Sequence, residues 1–161
     1  MVFRVLDATA FYAGIPFVSN DSFMTTSAVY EEIQHIKAKH SALEILQQTN
    51  RLQIRDPSED IINIVRNASI ETGDNSTISK QDVSIIALAL ENKSELITDD
   101  FAVTNVAKQL KIQTSSLMTQ GINIVGKWII YCSACGKEFS KQKECPICGS
   151  KLNRKLIKKS I

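Results

Sequence analysis

Short apolar runs and amphipathic stretches alternate along the first two thirds of the chain. Val2 to Leu6 is an apolar run closed by Asp7, the pattern of a buried strand followed by a turn. Thr25 or Thr26 is placed to cap a helix that runs to about His40, with more helix over Ser41 to Gln48. Leu52 to Arg55 reads as a second strand. Asp56-Pro57-Ser58 opens the next helix, since proline is tolerated in a first turn, and Ile61, Ile62 and Val65 form its apolar stripe. The sequence TGDNST, Thr72 to Thr77, reads as a polar loop. Ser79 opens a strongly apolar helix to about Asn92. Glu95 to Thr98 is then a strand, Phe101 to Leu110 a helix and Lys111 to Thr114 a short strand. This alternation predicts an α/β fold, a mostly parallel sheet with helices on both faces and ligands at the carboxyl ends of its strands. The chain is expected to leave this unit around Gln120 to Lys127, so that residues 1–119 form one domain, 120–127 a linker and 128–161 a second unit beginning with a strand at Trp128 to Tyr131.

Cysteine changes the picture of that second unit. Residues 132 to 148 read CSACGKEFSKQKECPIC and hold all 4 cysteines of the chain. Cys132, Cys135, Cys145 and Cys148 have the spacing that lets two tight turns bring four thiolates onto one tetrahedral Zn²⁺. Gly136 and Gly149 follow the two Cys-x-x-Cys pairs, where the chain must turn under the metal and positive φ is cheapest for glycine. Two disulfides are the alternative, but they belong to secreted chains. The start, MVFRVLDATAF, is too short and too soon acidic for a signal peptide. No apolar run approaches the roughly 18 residues of a membrane span. A reducing, cytoplasmic location is therefore expected.

Charge divides the chain in the same place. Residues 1–126 carry 10 Lys and Arg against 15 Asp and Glu, whereas 127–161 carry 9 against 2. A basic unit beside an acidic one suggests that the first grips a polyanion while the second holds cations. Lys137, Lys141 and Lys143 between the two cysteine pairs, and Arg154, Lys155, Lys158 and Lys159 in the tail, are the candidate phosphate contacts.

The acids of the larger unit carry the candidate chemistry. Asp7 ends the first strand, a favoured place for a functional side chain and also for a turn former or cap. A helical rotation of about 100° per residue puts Glu32 on the face of Val29, Ile33 and Ile36, with Glu31 outward. The same projection puts Asp82 with Ile85, Ile86 and Ala89, although Ser79-x-x-Asp82 also reads as a capping box. Thr98-Asp99-Asp100 follows a strand predicted to lie beside the first. Alternation from Thr98 favours Asp100 over Asp99 as a metal ligand, and both could instead cap the helix at Phe101. Carboxylates that converge repel one another unless a hard cation such as Mg²⁺ or Mn²⁺ is present. Such ions activate water and stabilise in-line attack on a phosphodiester. His35 and His40 have no motif around them, which leaves no Ser-His-Asp set. There is no Gly-rich phosphate loop, so no nucleotide cofactor is expected.

Asp7-Ala8-Thr9, Thr26-x-x-Val29-x-x-Glu32-Ile33, Ser79-x-x-Asp82 and Leu96-Ile97-Thr98-Asp99-Asp100-Phe101 resemble, in their order, the acidic motifs of PIN-domain ribonucleases. Joined to Trp128-x-x-x-Cys132-x-x-Cys135-Gly136 and Cys145-Pro146-x-Cys148-Gly149, they resemble the PIN and zinc-ribbon endonucleases of ribosome maturation, the NIN-one binding protein family in its archaeal-like form. The resemblance covers almost the entire chain. It implies cleavage of a precursor ribosomal RNA at the mature 3′ end of the small-subunit RNA, within a pre-small-subunit particle and dependent on Mn²⁺ or Mg²⁺. It further implies that Asp7, Glu32, Asp82 and Asp100 bind the catalytic metal, and that Thr98, Asp99 and Asn105 support them. A non-catalytic RNA- or ribosome-binding module, or a PIN nuclease acting on another RNA, are the competing readings.

Overall fold

The computed structural model describes residues 2–35, 40–117, 124–139 and 142–160, with backbone alone at 124–127 and 156–160. Its larger sheet has five parallel strands in the order β3-β2-β1-β4-β5. They are β1 (Phe3–Leu6), β2 (Ser22–Thr25), β3 (Leu52–Ile54), β4 (Leu96–Ile97) and β5 (Thr114–Ser115). β1 is central. Val5 and Leu6 pair with Leu96 and Ile97 of β4 on one side, and Phe3 to Val5 pair with Ser22 to Met24 of β2 on the other. From β1 the chain winds outward through β2 to β3, then returns past β1 to β4. The order therefore reverses between β1 and β4, and their carboxyl ends flank the crevice that such a reversal opens.

Helices α1 (Ala8–Tyr12), α2 (Ile15–Val18), α3 (Ser27–Ile33), α4 (His40–Gln48), α5 (Glu59–Thr72), α6 (Lys80–Asn92) and α7 (Phe101–Gln109) cover this sheet. Val83, Ile85, Ile86, Ala87, Leu88 and Ala89 of α6 are all buried. A helix apolar on most of its circumference belongs in the interior, and α6 packs against β1, α3, α5 and α7. Phe11, Phe23, Met24, Leu96 and Val106 complete one continuous core.

Several elements depart from the sequence expectation. The helix capped by Thr26 stops at Ile33, and α4 starts at His40; Ile36 lies outside the described residues. Ser58, not Asp56, is the N-cap residue of α5, so Pro57 precedes the helix instead of entering its first turn. β2 and the two short helices α1 and α2 had no place in the sequence reading.

The second unit is a three-stranded antiparallel sheet in the order β7-β6-β8, from β6 (Ile124–Tyr131), β7 (Glu138–Phe139) and β8 (Asn153–Ser160). β6 pairs with β8 from Ile124↔Ser160 to Tyr131↔Asn153. Residues 124–127, expected to be linker, thus belong to the sheet: a partner strand satisfies their backbone groups, which composition alone could not reveal. The rest of the expected linker, 120–123, lies outside the described residues.

The two units touch at the turn after α5. Gly73 has φ +78°, and a Cβ there would stand 2.5 Å from both the Cβ and the carbonyl oxygen of Trp128. Only glycine satisfies both the backbone angle and this approach. Arg154 Nη2 donates to Gly73 O at 2.9 Å, and its guanidinium lies 4.6 Å from the centre of the Trp128 ring. Among the described residues no helix is long and apolar enough to cross a membrane.

Candidate active site and metal centre

Asp7 is the first residue beyond β1 and the N-cap of α1. Its Oδ1 accepts from Thr9 Oγ1 at 2.6 Å and from Ala10 N at 3.1 Å, and its Oδ2 accepts from Thr98 Oγ1. Thr98, the residue after β4, is 1% exposed, and Asp7 is 5% exposed. Thr98 Oγ1 also accepts from Asp100 N at 3.1 Å, so one hydroxyl joins the two strand ends. Burial pushes the Asp7 carboxyl above its ordinary range, and the neighbouring Asp100 charge adds to that; the hydroxyls of Thr9 and Thr98 and the Ala10 amide oppose it. A desolvated carboxylate beside a second acid is the charge arrangement that a cation offsets.

The pair after Thr98 divides its tasks. Asp99 Oδ1 accepts from Ser116 Oγ at 2.6 Å and from Leu117 N at 2.8 Å, which turns it toward the end of β5. Asp100 is exposed and caps α7, accepting from Val103 N at 3.2 Å. The helix-cap alternative is thus realised by Asp100, the acid whose charge bears on Asp7.

Asp82 is half-buried and closes the capping box, with Ser79 N donating to its Oδ2 at 2.8 Å and its own N donating to Ser79 Oγ at 3.1 Å. Ser84, two residues on, meets the α3 cap through a 2.8 Å bond between its Oγ and Thr26 Oγ1. Glu32 corrects the projection: it is exposed. Val29 and Ile33 are the buried residues of α3, and the helix ends after Ile33, so among the described residues the flank bearing Glu32 stays open.

Asn105 is fully buried, and its Nδ2 donates to Asp74 Oδ2 at 2.6 Å. The carboxylate it meets is thus none of the four predicted acids but Asp74, which sequence reasoning missed. Asp74 sits in the TGDNST stretch read as a polar loop, and its distant partner distinguishes it from the exposed Asn75, Ser76 and Thr77 that follow. Thr9 was also missed as a supporting residue; the Asp-x-Thr spacing at a cap was the available signal. Among the described residues no three carboxylates bring ligand oxygens within 4.8 Å of one another. Such openness suits Mg²⁺ or Mn²⁺, ions commonly held by one or two protein carboxylates plus water and substrate phosphate.

The cysteines, by contrast, are closed. The four Sγ atoms lie within 4.8 Å of one another, with Cys132 and Cys148 at 3.5 Å and Cys135 and Cys145 at 3.4 Å. All four are free thiols, so no disulfide competes. A tetrahedron with bonds of about 2.3 Å separates its corners by about 3.8 Å, close to these distances. The two turns share one pattern: Gly136 N donates to Cys132 O at 2.7 Å, and Gly149 N donates to Cys145 O at 2.8 Å. Both glycines have positive φ with open space where a Cβ would be, so backbone angle and not crowding selects them.

Of the basic candidates, Lys137, Lys143 and Lys155 are exposed, and the Lys155 ammonium lies 4.7 Å from the centre of the Tyr131 ring. Arg154 is exposed as well, and its guanidinium also reaches across to Gly73 of the larger unit. Lys141 lies outside the described residues, as do the side chains of Lys158 and Lys159.

A five-stranded parallel sheet with one acid beyond its central strand and a Thr-Asp-Asp step beyond the neighbour defines a PIN-type nuclease, and residues 4–91 match the family described as PIN domain of ribonuclease. The chain is 34% identical over 165 residues to Endoribonuclease Nob1 of Methanocaldococcus jannaschii, spanning 100% of this chain and 81% of that protein. Over 149 residues it is 33% identical to Endoribonuclease Nob1 of Pyrococcus abyssi, covering 91% and 89% of the two chains. An 80-residue match, 38% identical, joins 50% of this chain to 17% of the 20S-pre-rRNA D-site endonuclease NOB1 of Saccharomyces cerevisiae. The chain belongs to the Nob1 endoribonucleases, a PIN-domain family whose members are hydrolases of RNA.

Proposed function

We propose that this endoribonuclease hydrolyses one phosphodiester of a precursor small-subunit ribosomal RNA to form its mature 3′ end, using Mn²⁺ or Mg²⁺, in a pre-small-subunit particle in the cytoplasm. The observation that carries the reading is the buried Asp7 carboxyl, held by Thr9 and Thr98 beside Asp100 at the carboxyl ends of β1 and β4. Asp7, Asp100 and Asp82 would hold the catalytic ion, and the exposed Glu32 would complete the set from the rim when RNA is bound. The ion supplies a more acidic water and counter-charge for the attacked phosphate. Thr98 keeps an Asp7 oxygen in place and at the same time fixes the amide of Asp100. Asp99 shapes the adjoining turn. In the second unit, which the sheet extends back to residue 124, the four cysteines would hold one structural Zn²⁺.

The test is direct. The purified chain, given Mn²⁺ and an RNA spanning the mature 3′ end, is expected to yield one product ending there, and none without a divalent ion. Cutting at unrelated positions in every RNA supplied, or no cutting of that RNA, would sink the assignment.

Lys137, Lys143 and Lys155 are placed to meet phosphates without reading bases. Lys143→Ala is expected to weaken binding to all RNAs alike and to lower the slope of log affinity against log salt by about one. A fluorescence-anisotropy titration at several salt concentrations measures both; an unchanged slope removes Lys143 from the interface.

A further inference from the structure

Asp74 is 1% exposed, and among the described residues it has no ion pair and its Oδ1 has no hydrogen bond. A buried side-chain oxygen left without a partner opposes folding, a cost that points to a role for Asp74 beyond filling space. Its position in the chain supplies one. Asp74 O accepts from Thr77 N at 2.9 Å, Thr77 Oγ1 at 2.9 Å and Ile78 N at 3.0 Å, while Asp74 N donates to Ser69 O at 2.9 Å. These bonds make a tight turn that delivers the chain directly to Ser79, the cap that bonds Asp82. The Asp74 side chain meanwhile reaches Asn105, which lies five residues beyond Asp100 on α7. One 2.6 Å bond thus ties the turn that starts α6 to the body of α7, and each of those helices carries one candidate metal ligand in or at its first turn. The residue before it, Gly73, accepts from Arg154 on the ribbon side, so the start of the turn is held from both units.

We propose that Asp74 and Asn105 are a positioning pair that sets the separation of Asp82 from Asp100 and thereby the affinity of the acidic site for its divalent ion. The proposal rests on the metal-site reading above. Neither residue touches the ion; they act through the two helix starts, as hydrogen-bonded supports behind metal ligands do.

The exchange of the two groups tests it. Asn105→Asp sets two carboxylates against each other. The double variant Asp74→Asn/Asn105→Asp rebuilds the same N–H···O bond with donor and acceptor reversed. Mn²⁺ binding is followed by the electron paramagnetic resonance signal of the free ion, alongside the Mn²⁺ dependence of cleavage and thermal unfolding. Asn105→Asp is expected to weaken Mn²⁺ binding by about 10- to 100-fold and to raise the Mn²⁺ needed for half-maximal cleavage in proportion, with the KM for RNA at saturating Mn²⁺ unchanged. The double variant is expected to recover most of the loss. Parent-like Mn²⁺ affinity in Asn105→Asp, or a double variant that regains thermal stability without regaining affinity, overturns the proposal. Asp7→Asn is measured in parallel: if it binds Mn²⁺ as the parent does, the acidic-site reading falls, which a failed exchange alone would not show.

Discussion

Asp7→Asn is expected to lower Mn²⁺-dependent cleavage by at least about 10²–10³-fold, the scale of removing one charge-stabilising group from a catalytic site, while the protein stays folded. The second half of this expectation separates a functional acid from a structural one. Folding raises the Asp7 pKa above its ordinary 3.8, through burial first and the Asp100 charge last. The folded state therefore favours the protonated form, and the ionised carboxylate costs stability at every pH above the unfolded value. Asn mimics the protonated form and can keep the bonds to Thr9 and Ala10. Without divalent ions, Asp7→Asn should then melt at or above the parent temperature at pH 7, and the difference should vanish as pH falls below the unfolded pKa. With Mn²⁺ at about 100 times its dissociation constant, the parent should gain about 2.7 kcal/mol and the variant little. Cleavage assays combined with melting curves at pH 3 and pH 7, with and without Mn²⁺, read all of this. A variant that cleaves like the parent, or one that melts lower at pH 7 without metal, removes Asp7 from the centre of the site.

What the sequence revealed follows from which forces are local. Cys-x-x-Cys turns and a capping box close within five residues, so Cys132 to Gly136, Cys145 to Gly149 and Ser79 to Asp82 are legible from spacing. The apolar runs of α6 and β4 are legible because both lie in the interior, where composition must be apolar throughout. Ser22–Thr25 is a strand only because β1 and β3 flank it; four residues without alternation carry no period to detect. Glu32 illustrates a limit of helical projection, which places a side chain on a face but does not say where the covering neighbour ends. Asp74 and Arg154 illustrate a different one. One lies in a stretch read as a polar loop and the other was read as a phosphate contact, and each meets a partner at a separation of 31 or 81 residues, contacts that no local pattern encodes.

Removing the metal from the four-cysteine cluster is expected to unfold the ribbon while the PIN unit stands. Ile129, Cys132 and Cys145 are the buried apolar residues of the ribbon among those described, far too little for a core. An isolated antiparallel pair such as β6 and β8 is marginal in water. Structural zinc contributes about 10–16 kcal/mol of apparent binding energy in comparable small modules at pH 7, so its loss should leave no folded ribbon. The PIN unit keeps its own core of some two dozen buried apolar side chains. Trp128 is the one tryptophan of the chain and lies against Gly73 under the Arg154 guanidinium, so its fluorescence reports the event selectively. Chelation should shift its emission to the red and weaken RNA binding, with the melting of the PIN unit preserved. Acid should act in the same direction. Hydrogen bonding with the Ser150 hydroxyl and amide draws the Cys148 thiol down to about 6, whereas sharing protons with Cys132 and Cys145 pushes Cys135 up to about 12. At pH 7 the metal-free cluster thus still holds protons that loading must expel, and metal affinity should fall as pH drops through 7 toward 6. Calorimetric titration in buffers of different ionisation enthalpy counts the protons released. Unchanged Trp128 emission after one equivalent of metal has been withdrawn would show that packing on Gly73, and not the ion, holds the ribbon together.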